Sequence, residues 1–181
     1  MNLEKEMEKL VAAAKTLFFA GQTPTFDGSG IGTKVYVEET REAADGNPLL
    51  KDGKWGVKVS ETVRDMGDVV PELAQFTLAH ELGHLVAPHL GEIKMNEVEA
   101  LADLLGVCLL KQAGIDLEKV VEKLRDNDTL MFDEEGDWSH PPAKDRIDAI
   151  DKMRVALGKG TASLVAITEV SGKTFQVSKT A

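Results

Sequence analysis

Residues 71–84 read Pro71-Glu72-Leu73-Ala74-Gln75-Phe76-Thr77-Leu78-Ala79-His80-Glu81-Leu82-Gly83-His84, and this stretch decides how the rest of the chain is understood. The spacing predicts a helix from Pro71 to about Ala87, stopped by Pro88. On that helix His80 and His84 lie one turn apart on one face, so both imidazoles can reach one metal ion at about 2.0–2.1 Å. Glu81 leans beside them, where it can take a proton from a metal-bound water. A helix this apolar is expected to be largely buried, and two imidazoles with a carboxylate inside it need partners.

Catalytic zinc usually takes three protein ligands and leaves one position for water. His89 stands nine residues after His80, whereas the metzincin pattern needs ten and a glycine seven after the first histidine. Those two positions are Leu90 and Ala87, so that pattern is rejected and His89 is expected at the surface beside Pro88. A glutamate fits better. Between Val98 and Leu110 the only polar residues are Glu99 and Asp103, four apart on one face, with Leu101, Leu104, Leu105 and Cys108 opposite. Ala102, Gly106, Val107 and Leu110 flank the two acids, so this is not an ordinary charged surface. A buried carboxylate is costly unless it meets a metal or a donor. Glu99 is therefore expected on one zinc ion, and Asp103 on the outer nitrogen of a ligand histidine. Glu97 is the rival ligand, but it lacks a matching acid four residues on.

The rest of the chain reads as one domain over residues 1–181, of α+β class and mostly helical. A helix spans 3–20, with Leu3, Met7, Leu10, Val11, Ala14, Leu17 and Phe18 at helical spacing. Residues 21–32 read as loop, 34–38 as a strand, and 54–60 as a second strand whose lysines suit a sheet edge. Between those strands lies a Gly/Asn/Pro turn region. Asn96 caps a helix running to Gln112, Asp116 caps another reaching about Arg125, and residues 126–138 form an acidic loop. Pro141-Pro142 opens a last helix ending at Leu157. Residues 161–178 alternate about a Ser171-Gly172-Lys173 turn and read as a β-hairpin.

Composition narrows the class. The chain has 181 residues with 21 Lys and Arg against 31 Asp and Glu, and it lacks a basic run, which argues against a nucleic-acid partner. The single cysteine, Cys108, cannot form an internal disulfide and reads as inert core. Apolar stretches fall short of the roughly 18–20 residues of a membrane span, and the acidic N-terminus is unlike a secretory signal, so a cytoplasmic protein is expected. Gly28-Ser29-Gly30-Ile31-Gly32 lacks the Lys-Ser/Thr ending of a phosphate loop, and Asp133 to Asp137 lacks the spacing of an EF-hand.

Three segments together carry a family likeness. Pro71 to His84, the Glu-x-x-x-Asp of Glu99 and Asp103, and Ser139-His140-Pro141-Pro142 with Arg146 six residues after the histidine resemble the zinc metallopeptidases (gluzincins) of the CAAX prenyl endopeptidase and HtpX heat-shock protease. The likeness covers about residues 34–157, leaving the N-terminal helix and the C-terminal hairpin as additions. It implies a zincin-like fold with a small sheet beside the active-site helix. It further implies His80, His84 and Glu99 as zinc ligands, Glu81 as general base, and a peptide or protein substrate. His140 corresponds to the histidine that steadies the tetrahedral intermediate, and Arg146 supports the site. The strand at 54–60 corresponds to the edge strand lining the cleft. The residues themselves leave alternatives open. Two prolines after His140 fix its exit angle but equally mark a plain helix start, and Arg146 suits a structural salt bridge as well as a catalytic contact.

Two further functions are weighed. A regulatory protease of the ImmA/IrrE type also uses HExxH followed by a glutamate helix, though the Ser-His-Pro-Pro segment argues against it. A latent or non-catalytic zinc-binding interaction module would follow if the hairpin at 161–178 paired with an edge strand and closed the cleft.

Overall fold

The computed structural model describes residues 1–40, 44–91, 93–94, 97–132, 135–136 and 141–174. The chain opens with α1 (Leu3–Phe18) and continues through β1 (Thr25–Phe26), β2 (Ser29–Glu38), β3 (Gly46–Lys51) and β4 (Lys54–Ser60). Helices follow: α2 (Glu61–Val69), α3 (Pro71–Val86), α4 (Val98–Gln112), α5 (Leu117–Asp126), the single turn α6 (Asp128–Met131), α7 (Ala143–Gly158) and α8 (Ser163–Ser171). The architecture is α+β, mostly helical with one small mixed sheet.

Burial separates two kinds of helix. On α5 the buried residues are Leu117, Val120, Val121 and Leu124, the i, i+3, i+4, i+7 stripe of a surface helix, and Asp116 caps it by accepting from the Glu118 amide at 3.0 Å. On α1 Met7, Leu10, Ala14 and Phe18 form a similar stripe, behind an Asn2 cap. By contrast, α3 buries every residue from Phe76 to Gly83, and α4 every residue from Leu101 to Leu110. These two helices form the centre of the molecule, and the metal-type motifs sit on them.

Their approach is unusually close. A Cβ on Gly83 would stand 2.6 Å from the Ala102 carbonyl oxygen, and one on Gly106 would meet the Ala79 and His80 backbone at 3.2 Å. Gly83 faces Ala102 while Gly106 faces Ala79, so the helices run antiparallel in a fixed register. That register sets Glu99 and Asp103 against His80 and His84. Gly83→Ala is therefore expected to force α4 outward, lowering stability by about 1–3 kcal/mol. Urea denaturation of the variant checks this.

The strand order is β1-β2-β4-β3, with β2 and β4 parallel and the outer pairs antiparallel. Both hairpins turn on Asp-Gly, with positive φ at Asp27 and Gly28 and at Asp52 and Gly53, the type I′ geometry that matches strand twist. Several sequence expectations change here. The strand at 54–60 is not an edge: β4 lies between β2 and β3, and β3 is one of the two edges of the sheet. The Gly46-Asn47-Pro48 stretch reads as a turn but is a strand, because an edge strand tolerates a proline. Residues 25–26 and 29–31, read as loop, are paired strand.

The tail differs most. Residues 163–171, expected as the first half of a hairpin, form α8, which packs against α4 and α7 and buries Ala166 and Ile167. A nine-residue apolar segment fits period 2 and period 3.6 alike, and the helical stripe Leu164, Ile167 and Val170 wins by packing on the core. The supposed turn glycine, Gly172, is the left-handed C-cap of this helix, with φ of 71°. Residues 175–178 of the expected hairpin lie outside the described residues, as does Asn96, the expected cap. The segment 61–69, not anticipated as a helix, is α2, capped by the Ser60 side chain. His89 is not a surface residue: it is half-buried, hydrogen-bonds the Thr25 carbonyl and lies edge-on to Phe19. Among the described residues no helix is long and apolar enough to cross a membrane.

Candidate metal centre

The Nε2 atoms of His80 and His84 stand 3.0 Å apart, brought together by the single helical turn between them. Across the α3–α4 contact, Glu99 places Oε2 at 3.3 Å from His80 Nε2 and Oε1 at 3.4 Å from His84 Nε2. Ligand atoms around a tetrahedral zinc at about 2.0–2.1 Å stand about 3.3 Å from one another. Each oxygen of the Glu99 carboxylate thus lies near one of the two imidazole nitrogens, at a distance close to that edge.

Glu81 is also near. One donor atom each from His80, Glu81 and His84 lies within 4.8 Å of the others, so this trio could itself hold a metal ion. Its nearest oxygen, however, is 4.0 Å from His80 Nε2, longer than the tetrahedral edge that Glu99 matches. The Glu99 and Glu81 carboxylates both stand within reach of the two imidazoles, with Glu99 the nearer to His80.

The tautomer follows from the partners. Asp103 is 1% exposed and receives Nε and Nη2 of Arg146 at 2.7 and 2.8 Å. Burial works against its charge, but that guanidinium outweighs it and holds the Asp103 carboxyl down at about 2. An ionised carboxylate only accepts, so the 2.8 Å contact with His80 is an Nδ1–H donated to Asp103 Oδ1. His80 Nε2 is left to face His84 Nε2 and the Glu99 carboxylate. Two imidazole nitrogens and a carboxylate aimed at one point form a place for a cation, either a proton or a metal. The residues present fit zinc, whose preferred ligands are imidazole and carboxylate.

Local charge divides the three titrating groups. Burial depresses His80, yet hydrogen bonds to Asp103 and Glu99 overcome it and lift the imidazolium to about 10. Burial and then the His80 charge push His84 down to about 4. Burial raises Glu81 to about 7, with Glu99 and Asp45 adding to the rise against His80 and Arg146. A metal ion held by His80 Nε2 would displace the proton there, so proton release on metal binding and an affinity that rises with pH are expected. Calorimetry in buffers of different ionisation enthalpy measures this directly.

A second ring of contacts backs the centre. The Phe76 and His80 ring centroids are 6.3 Å apart, Phe76 meets Phe132 edge to face at 6.1 Å, and Phe132 lies under the Arg146 guanidinium at 4.3 Å. Arg146 then closes the circuit through Asp103 to His80. Phe132 falls in the acidic loop expected over residues 126–138, where its only signal is a large apolar side chain amid acids. Gly46 of β3 was missed as well: a Cβ there would stand 2.7 Å from Glu81 Cγ, so the edge strand lies directly on the Glu81 side chain.

The centre opens into a cavity of about 780 Å³ between β3 and α6, lined by His80, Glu81, His84, Glu99 and Arg146 together with residues 44–48 and 129–132. Thus His80, Glu81, His84, Glu99, Asp103 and Arg146 lie together in the structure. Arg146 takes the salt-bridge alternative, on Asp103. Ser139 and His140 lie outside the described residues. Glu97 turns to Lys173 in an ion pair. Cys108 is buried, and burial pushes its thiol up to about 12, which leaves it inert. Comparison with protein-family models, with curated proteins and with solved structures finds no match for this chain.

Proposed function

We propose that the protein is a zinc-dependent endopeptidase of zincin-like type. The observation that carries the proposal is the convergence of the His80 and His84 imidazole nitrogens with the Glu99 and Glu81 carboxylates on one cavity. A structural zinc site has no use for a fourth, proton-accepting side chain beside an open position, whereas a hydrolytic one requires it.

His80, His84 and Glu99 would hold one zinc ion, which supplies Lewis acidity toward a water and a peptide carbonyl. Glu81 takes the proton of that water as its oxygen adds to the carbonyl carbon. It then delivers the proton to the leaving amide nitrogen as the C–N bond breaks, so it ends as it began. Asp103 orients His80 and raises its basicity through the Nδ1–H bond. Arg146, buried beneath it, is a positioning residue that keeps Asp103 ionised. On the family likeness, His140 assists the carbonyl oxygen as it gains charge. The substrate lies along β3, the sheet edge beside the cavity, in place of the strand 54–60 anticipated from the sequence.

The latent-module alternative drew its motivation from a hairpin over the tail, and the helix at 163–171 removes that motivation. The test is digestion of an unfolded protein by zinc-loaded, chelator-treated and zinc-restored samples. Cleavage that disappears with the chelator and returns with zinc is expected. Cleavage that persists through chelation, or none in any sample, contradicts the proposal.

A further inference from the structure

We infer that Gly46 is a positioning residue for Glu81: the missing side chain at this point of β3 decides where the Glu81 carboxylate stands. The consequence for turnover rests on the peptidase reading above. A Cβ on Gly46 would come within 2.7 Å of Glu81 Cγ and 3.0 Å of both its Cδ and Oε1, so the first atoms it would meet all belong to that one side chain. Gly46 is not among the glycines with positive φ, and its backbone conformation is open to any residue. A glycine inside a strand costs stability and commonly marks a close approach. Here it supplies space, and the space is filled by Glu81.

Both backbones at this contact are tied down. Gly46 pairs with Val59 of β4. The Ser60 amide donates to the Asp45 carbonyl at 2.9 Å, the Asp45 amide to Ser60 Oγ at 3.3 Å, and the Gly46 amide to Asp45 Oδ1 at 2.8 Å. On the other side, α3 is held against α4 where Gly83 meets Ala102. The element with freedom to move is the Glu81 side chain, which lines the cavity. An alanine at position 46 would be accommodated by turning the carboxylate away from β3 and into that cavity, with the strand left in place.

Small displacements matter to a general base, which works only within hydrogen-bond reach of the proton it takes. A misplacement of about 1 Å can cost about 10²-fold in rate. Relieving a 2.7 Å carbon–carbon contact to an ordinary separation of about 3.5–4.0 Å needs a movement of that size. His80, His84 and Glu99 are not among the atoms that a Gly46 Cβ would meet first. The effect of filling this space therefore falls on turnover, with metal binding spared.

The test compares zinc-loaded wild type with Gly46→Ala by crystallography and by steady-state hydrolysis of one peptide. In the variant β3 is expected in its wild-type place, with the Glu81 carboxylate displaced by about 1 Å. Its kcat is expected to fall by about 10²-fold while KM and zinc content stay as in wild type. A purely structural role for Gly46 would disturb the strand and raise KM, since the proposed substrate lies along β3. A displaced β3 with Glu81 unmoved, a Gly46→Ala protein that does not fold, an unchanged kcat, or a loss carried by KM overturns the inference. Failure of the peptidase reading shows differently: wild-type protein then hydrolyses nothing, while the two crystal structures still decide whether Gly46 places Glu81.

Discussion

Glu81→Gln is expected to leave zinc binding intact and to lower peptide hydrolysis by about 10²–10⁴-fold, the usual contribution of a positioned general base. The substitution is nearly isosteric, which matters here. Glu81 is 5% exposed and is pressed against the Gly46 backbone, so a smaller or larger side chain would disturb β3 as well as the chemistry. The amide fills the same space but accepts no proton. Burial lifts the Glu81 carboxyl to about 7, close to the working pH that proton transfer in both directions requires. At 4.0 Å it stands farther from His80 Nε2 than Glu99 does, so the proposed ligands His80, His84 and Glu99 are expected to be retained in the variant. Steady-state peptide hydrolysis and zinc titration, run side by side, give the two readings. Wild-type turnover in the variant, or loss of zinc, contradicts the assigned role.

Arg146→Met carries the largest expected cost in stability, about 3–5 kcal/mol, because it strands the Asp103 carboxylate with one of its two partners gone. Asp103 is 1% exposed and cannot turn to water. Its loosened grip on His80 should also weaken zinc binding by about 10–100-fold. The pH dependence follows from sign. The folded Asp103 value, about 2, lies below its ordinary 3.8, so its stabilisation is present above about pH 4 and is lost as pH falls through about 2. The stability gap between wild type and Arg146→Met should therefore narrow as pH falls from about 5 toward 2. Urea midpoints across that range measure it, and a gap that is absent at pH 7 argues against the network.

The centre was legible because its chemistry is written in local spacing. His80, Glu81 and His84 fall within five residues, and Glu99 and Asp103 are the only polar residues between Val98 and Leu110. Asp103 meets His80 only because Gly83 and Gly106 let two helices touch, and that three-dimensional register is not visible in either helix alone. The cleft wall was illegible for related reasons. Gly46-Asn47-Pro48 has turn composition and becomes a strand only by pairing with β4, although the Asp52-Gly53 dipeptide that follows is a strong hairpin signal. Phe132 is buried by contacts with Phe76 and Arg146, 56 and 14 positions away, which no window of sequence contains. The tail was misjudged because a short apolar segment satisfies two periods, and packing against α4 and α7 made the choice.

The central claim is that one zinc ion sits on His80, His84 and Glu99. Zinc K-edge X-ray absorption on the zinc-titrated protein tests it most directly. The expected shell is one equivalent of zinc with two imidazole nitrogens and oxygen ligands at about 2.0–2.1 Å, losing an oxygen contribution in Glu99→Ala. A protein that binds no stoichiometric zinc, or a shell without two imidazoles, would contradict the account.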